Sequence, residues 1–182
     1  MEFFVKELED NKNKKNNNIV SSSDLIVLRQ NWQDRGYTVV FTNGCFDLLH
    51  LGHVQYLQEA KALGDVLVVG LNSDASVTRL KGPLRPLVPA MERAQVMAAL
   101  RSVDFLTIFE EDTAENLIAA LRPDIYVKGG DYEVNSGASV PTSKVLPEAA
   151  TVQSYGGRIQ LIPFLPGHST TGLIKKIVAA YS

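Results

Sequence analysis

Two histidines three positions apart, His50 and His53, are the residues of this sequence whose type and spacing point most directly to chemistry. They fall where an apolar, strand-like run, Tyr37–Phe41, gives way to a helical pattern that continues from Val54. Residues three apart share one face of a helix, and the first helical turn offers free backbone N–H groups and a partial positive charge. The stretch therefore predicts a receptor for a phosphate group.

The residues alone leave other interpretations of this stretch open. Each histidine could simply be a surface residue or a satisfied core residue. A zinc site could use Cys45 with His50 and His53, but the remaining histidine is the distant His168 and there is no second cysteine. Because zinc sites need a fourth ligand or an open position, no metal site is expected. Gly52, between the histidines, is expected to leave room for a ligand against the backbone.

Composition sets the class of protein that these residues serve. The chain has 182 residues, 45% of them hydrophobic and 21% charged, and a net charge of −2. This balance gives no electrostatic case for binding nucleic acid or an anionic membrane. A single cysteine fits the cytoplasm, which is the expected location, and apolar runs such as Val66–Leu71 are too short to span a bilayer. No secretory signal is recognised at the N-terminus.

The order of apolar segments predicts the fold that positions the site. Residues 1–18 are polar and of low complexity, so a disordered tail is expected there, followed by one domain over residues 19–182. Strand and helix patterns alternate through that domain, which predicts an α/β fold: a doubly wound, five-stranded parallel Rossmann-like sheet with helices on both faces. The predicted strands are Tyr37–Phe41, Val66–Leu71, Val103–Phe109, Pro123–Lys128 and Arg158–Pro163.

Four segments follow predicted strands at the edge where ligands of open α/β sheets bind. Besides the histidine turn they are Asn72–Asp74, Gly129–Tyr132 and Gly167–Gly172, the last with hydroxyls suited to the N–H groups that open a helix. Ser76–Pro89 is predicted to be a proline-stiffened loop, and either phosphate binding or plain solvation would suit its basic residues. Those residues are Arg79, Lys81 and Arg85.

The stretch from Gly44 to His53 matches the pattern G-x-F-D-x-x-H-x-G-H and resembles the signature of the HxGH nucleotidyltransferases. From about Val40 to Tyr181 the chain resembles one branch of them, the bacterial heptose 1-phosphate adenylyltransferases. The matching strings are Phe41–Asp47, Asn72–Asp74, Arg79–Pro83, Val127–Tyr132, Ser154–Gly157 and Ser169–Thr171. Alkyl-phosphate cytidylyltransferases carry an arginine shortly before Ser-Thr-Thr, where this chain has Phe164-Leu-Pro. Many members of the branch are fused behind a sugar kinase, and the free-standing form is expected here.

The resemblance implies a reaction and its participants. AMP would pass from ATP to a sugar 1-phosphate, D-glycero-D-manno-heptose 1-phosphate, giving ADP-heptose and pyrophosphate. Because the attacking phosphate is already anionic, the task is positioning and stabilising charge rather than general base catalysis. Mg²⁺ is expected as the companion of ATP, with no cofactor borne by the protein. The expected partners are ATP and a small sugar or alkyl phosphate, and a homodimer is left open.

The resemblance also assigns roles to residues. His50 and His53 would bind phosphates around the reacting centre, Lys81 and Arg93 would counter the triphosphate charge, and Ser169, Thr170 and Thr171 would bind its outer phosphates. The other expected nucleotide-binding residues are Thr42, Asn43, Gly44, Cys45, Phe46, Asn72, Asp74, Gly129 and Asp131, the last near the ribose or base. Expected contacts to the second substrate are Arg79, Arg85 and Lys128. Asp47 is expected to be a turn and cap residue.

Two rival functions remain open on the sequence. One is a transferase of the same fold, for cytidylyl or adenylyl groups, acting on glycerol 3-phosphate, phosphoethanolamine or phosphopantetheine. The other is a nucleotide-binding regulator that does not turn over. Class I aminoacyl-tRNA synthetases share the HxGH feature but need further domains and a lysine-rich signature loop.

Overall fold

The computed structural model describes residues 18–130, 132–133 and 144–181, along which strands and helices alternate. The strands are β1 Val39–Gly44, β2 Val66–Asn72, β3 Phe105–Phe109, β4 Ile125–Gly129, β5 Tyr132–Glu133, β6 Lys144–Val145 and β7 Arg158–Ile162. The helices are α1 Ser22–Asp34, α2 Leu51–Lys61, α3 Asp74–Lys81, α4 Ala90–Ala98, α5 Glu115–Leu121, α6 Ala149–Ser154 and α7 Thr170–Tyr181.

Five of the strands form one parallel sheet in the order β3-β2-β1-β4-β7, while β5 and β6 form a separate short pair. In the large sheet the central strand β1 aligns Thr42 with Val69 of β2 and with Val127 of β4. The chain fills one half of the sheet through β2 and β3 and the other through β4 and β7. The order therefore reverses beside β1, the place where doubly wound sheets bind ligands. The predicted fold class is confirmed.

The two faces of the sheet carry separate cores. Every residue of β2 is buried, as its continuous apolar run predicts for a strand covered on both faces. Side chains of β1 alternate, so Val39 and Phe41 pack with α1, α5 and α6, while Val40 packs with α2 and α4. Helix α2, which begins in the histidine motif, is thus fixed to one face of the sheet.

Some local expectations were wrong. The chain forms helix α3 from Asp74, where a loop was expected from Ser76, because Ser73 caps it by accepting a hydrogen bond from Ser76 N at 3.2 Å. The prolines lie beyond that helix, so they do not interrupt it. Helix α5 begins at Glu115 after the N-cap residue Ala114, which supplies no side-chain hydrogen bond.

The folded domain includes Asn18, which the sequence had placed in the tail. Asn18 is buried and donates from Nδ2 to Ala98 O at 3.1 Å, and its carbonyl accepts from Leu106 N at 2.9 Å. Ile19 forms an isolated parallel bridge with Leu106 on the edge strand β3. A polar residue at the end of a low-complexity run gives no sign of such pairing, so sequence placed the boundary too late.

Candidate active site

A cavity of about 960 Å³ opens at the carboxyl ends of the sheet. The turn after β1, the start of α2, the end of β4 and the start of α7 all contribute to it. It brings together most residues singled out in the sequence: Asn43, Gly44, Cys45, Phe46, His50, His53, Asn72, Lys81, Arg85, Lys128, Gly129, Ser169, Thr170 and Thr171. Asp131 lies outside the described residues.

The two histidines stand together at the start of α2. His50 is the N-cap residue, with an extended backbone, and His53 lies in the first turn. Their rings stack with centroids 3.8 Å apart, as the three-residue spacing predicted. The Nδ1 atoms of both rings are buried and find no hydrogen-bond partner in the described part of the chain. Unpartnered buried polar atoms are costly, so the pair is suited to a ligand that brings hydrogen-bonding atoms with it.

Both imidazoles are held in the neutral form. Burial lowers the pKa of His53 to about 4, and the neighbouring His50 adds to the effect. Burial also lowers the pKa of His50 below its usual value, with His168 contributing. Each ring therefore offers one N–H donor near neutral pH. An anionic phosphate beside them would favour the charged form and raise both pKa values.

Close packing explains the glycine between the histidines. A Cβ atom on Gly52 would lie 3.1 Å from His168 Cβ and 3.1 Å from His50 Nδ1, which is tighter than ordinary contact. The missing side chain thus leaves room for the two histidines, while Gly52 itself lines the cavity, and its contact with a ligand stays a prediction. The ring of His168 lies 6.5 Å from that of His50. The histidine that looked distant in the sequence belongs to the same site.

The start of α7 supplies hydroxyls to the cavity. Ser169 Oγ accepts from Gly172 N at 3.0 Å, and Ser169 O accepts from Leu173 N at 2.9 Å, which closes the first turn. Thr170 and Thr171 also line the cavity. The N-termini of α2 and α7, which both favour anions, therefore reach one cavity.

Asp47 anchors the proline-rich loop, residues 82–89, by hydrogen bonds and does not cap a helix, so its expected role as a cap was wrong. Its buried carboxylate accepts from Leu87 N at 2.9 Å and Val88 N at 3.0 Å, and forms an ion pair with Arg85. Burial alone would raise the pKa of Asp47, but these hydrogen bonds lower it below its usual value. Arg85 lines the cavity while its Nε is engaged by Asp47.

Arg93 does not line the cavity, contrary to its expected contact with the triphosphate. It is only 2% exposed, and its guanidinium donates to Cys45 O, to Val88 O at 2.8 Å and to Asp74 at 2.7 Å. Arg93 therefore links the turn after β1, the proline-rich loop and the start of α3 through hydrogen bonds outside the cavity. Asp74 is engaged in the same network and does not line the cavity either.

Two further expected contacts also lie away from the cavity. Arg79 pairs with Asp112 at 2.7 Å on the exposed surface of the protein. Thr42 is fully buried, and its hydroxyl is hydrogen-bonded to Tyr56 OH. Sequence spacing could not distinguish a basic or hydroxyl side chain directed at a ligand from one paired within the protein.

The cavity is also lined by residues that were not expected from the sequence, among them Tyr56, Glu148 and His168. The Tyr56 hydroxyl bridges Thr42 and Val127 O, which joins α2 to the central strands. Glu148 immediately precedes α6 and is buried. An acidic residue after a proline at a helix start could have been noticed, but its burial could not.

Within residues 18–130, 132–133 and 144–181, no group of three or more His, Cys, Asp or Glu side chains lies together in a way that could hold a metal ion. None of the described helices is long and apolar enough to cross a membrane.

A parallel sheet with its HxGH turn and a hydroxyl-bearing helix start at one edge defines an α/β protein of the nucleotidyltransferase type. The chain belongs to the cytidylyltransferase-like family, whose model matches residues 41–174.

Close relatives share one name. The bifunctional protein HldE of Syntrophotalea carbinolica is 56% identical over 147 residues, which is 81% of this chain and 28% of the relative. Those of Pelobacter propionicus and Wolinella succinogenes are 53% and 50% identical, over 87% of this chain and 30% and 31% of theirs. The chain thus spans about three tenths of the relatives' length.

A solved structure is similar as well: a lipopolysaccharide core biosynthesis protein from Thermoplasma volcanium, with a TM-score of 0.55 and 28% identity. The match covers 71% of this chain and 98% of that one.

Proposed function

We propose that this domain is an adenylyltransferase that transfers AMP from ATP to D-glycero-D-manno-heptose 1-phosphate, giving ADP-heptose and pyrophosphate. The observation that carries the proposal is the stacked pair His50 and His53 at a helix N-terminus, with unpartnered ring nitrogens in a cavity that also receives the start of α7. The resemblance of the sequence strings to heptose 1-phosphate adenylyltransferases and the relatives named HldE support the choice of substrates.

In this reaction an oxygen of the sugar phosphate attacks the α-phosphorus of ATP. A new P–O bond forms as the bond to the pyrophosphate oxygen breaks, so no side chain needs to become a nucleophile. His50 and His53 would donate hydrogen bonds to the oxygens around that phosphorus, where charge shifts in the transition state. The hydroxyls and N–H groups at the start of α7 would hold the departing pyrophosphate.

The remaining charge would be countered by cations. Lys81 is exposed at the cavity surface at the end of α3 and would approach the triphosphate. Arg93 would act indirectly, by holding the segments that line the cavity in position. Mg²⁺ would enter with ATP as part of the substrate, bridging phosphate oxygens. Asp47, whose carboxylate already accepts from three protein groups, is not available to coordinate it.

Pyrophosphate release tests the assignment directly. The purified chain would be assayed with ATP and with CTP, each against heptose 1-phosphate, glycerol 3-phosphate, phosphoethanolamine and phosphopantetheine. We expect the fastest release with ATP and heptose 1-phosphate. Faster release with CTP would contradict the adenylyl assignment, and no release from any pair would favour the nucleotide-binding regulator.

A further inference from the structure

Three polar side chains line the cavity on the side of the sheet away from the histidines. Asn43 lies on the same face of β1 as Val39 and Phe41, and Lys128 shares its face of β4 with Tyr126, so both project toward α1, α5 and α6. Glu148 joins them from the residue before α6. Together Asn43, Lys128 and Glu148 are called the Glu148 cluster below. The histidines belong to α2, on the opposite face.

Glu148 has one carboxylate oxygen satisfied and one unsatisfied. The residue is 2% exposed; its Oε1 accepts from Ala114 N at 3.3 Å and lies 3.7 Å from Lys128 Nζ. Its Oε2 is buried and has no hydrogen-bond partner in the described ranges. Burying a carboxylate oxygen without a hydrogen-bond donor destabilises the protein, and a donor on a ligand in the cavity would remove that destabilisation.

The rest of the cluster supplies donors in a fixed orientation. Asn43 Oδ1 accepts from Tyr126 OH at 2.7 Å and from Lys128 Nζ at 3.0 Å. Because a lysine ammonium can only donate, the amide oxygen must face it, and the amide nitrogen of Asn43 is left as a donor. A carboxylate acceptor beside an amide and an ammonium donor complements the alternating hydroxyls of a sugar.

We propose that Glu148, with Asn43 and Lys128, binds hydroxyl groups of the acceptor sugar and so selects a polyhydroxylated phosphate over smaller acceptors. The inference rests on the proposed function, because it assumes a sugar phosphate as acceptor. The ribose of the nucleotide carries the same diol chemistry. The hydroxyls are assigned to the acceptor because the cluster lies across the sheet edge from the histidines that hold the reacting phosphate.

The Glu148→Gln variant tests this assignment. Glutamine keeps an oxygen for Ala114 N and nearly the same shape, so the variant should fold, which its melting temperature will show. Loss of a charged acceptor should lower kcat/KM for heptose 1-phosphate ten- to hundredfold, while KM for ATP stays within about twofold. Glu92→Gln, the same change at an exposed position outside the cavity, is the matched control and should behave as wild type.

Deoxy analogues of the acceptor add a readout that a structural role would not move. Removing the hydroxyl that Glu148 binds should penalise the wild type but cost Glu148→Gln little. Unchanged acceptor kcat/KM in the folded variant, or a rise confined to KM for ATP, would overturn the assignment. A wild-type chain that is inactive with every sugar phosphate would instead refute the proposed function, so the two failures are distinguishable.

Discussion

The stacked imidazoles of His50 and His53 set the chemistry of the site at the scale of single residues. If both donate to phosphate oxygens in the transition state, replacing either with alanine should lower kcat about a hundredfold or more. Both residues are only partly buried, at the cavity wall, so the melting temperature should change far less than kcat. The measurements are kcat, KM for ATP and melting temperature for His50→Ala and His53→Ala.

Gln58→Ala, an exposed change on the same helix outside the cavity, is the control and should keep wild-type kcat. Folded histidine variants with near-native kcat would contradict a catalytic role for the pair. Early melting with retained specific activity would show instead that the histidines only cap and pack the turn.

The low pKa of His53 predicts a pH dependence of stability. The folded-state pKa is about 4, against 6.5 for the free side chain, so between these values the unfolded chain binds more protons than the folded one. Stability from the neutral ring is therefore complete above about pH 6.5 and is lost as the pH falls toward 4. His53→Gln cannot titrate, so its melting temperature should fall less between pH 7.5 and pH 5 than that of wild type. An equal fall in both proteins would contradict this account.

The sequence was enough to find the histidine pair and the serine–threonine run. Both lie at helix N-termini, where residue type and spacing within one turn indicate the local structure. The sequence was not enough to assign the arginines. Arg93 and Arg79 look equally available in the sequence, yet Arg93 is buried and engaged by two backbone carbonyls and by Asp74, whereas Arg79 pairs with the exposed Asp112. Apart from Val88, these partners lie 19 or more residues away in the chain, and only the fold brings them near.

At the scale of elements, the proline-rich loop is positioned by Asp47 rather than by its own residues. Asp47→Asn replaces an acceptor with an amide that faces the donors Leu87 N, Val88 N and Arg85. Leaving these partly buried donors unpaired should lower the free energy of unfolding by about 1–3 kcal/mol. Because Arg85 lines the cavity and is expected to contact the second substrate, KM for heptose 1-phosphate should rise as well. Denaturant unfolding and steady-state kinetics measure the two effects.

For the unfolding measurement alone, Asp112→Asn is the matched control, since it makes the same change in an exposed aspartate–arginine pair; Asp112 itself lines the cavity, so its kinetics are not compared. Exposed pairs contribute about 0–1 kcal/mol, so its unfolding curve should lie close to that of wild type. Equal destabilisation by both variants would mean that the loop is not anchored through Asp47.

The elements themselves follow from local patterns more closely than their ends do. All five strands of the main sheet were predicted because apolar runs alternate with helical periodicity. The start of α3 was missed because the prolines after Lys81 suggested a loop, whereas the cap at Ser73 decided where the helix begins. Neither the strand order nor the cluster around Glu148 can be read from periodicity, since both depend on contacts between distant segments.

At the scale of the whole molecule, the N-terminal boundary can be tested by two truncations. Removing residues 1–17 deletes a segment whose polar, low-complexity composition offers little to bury, so melting temperature and turnover should be nearly unchanged.

Removing residues 1–20 also deletes the hydrogen bonds of Asn18 and Val20 to Leu106, together with the buried Val20 side chain. Burial of a valine contributes about 1.5–3 kcal/mol, and the edge strand β3 would lose its cover, so this longer truncation should melt clearly earlier. Thermal unfolding of both truncated proteins beside the 182-residue chain measures the difference. A large loss from the shorter truncation would show that the first 17 residues pack or bind, and equal stability of the two would show that the pairing of residues 18–20 with β3 contributes nothing.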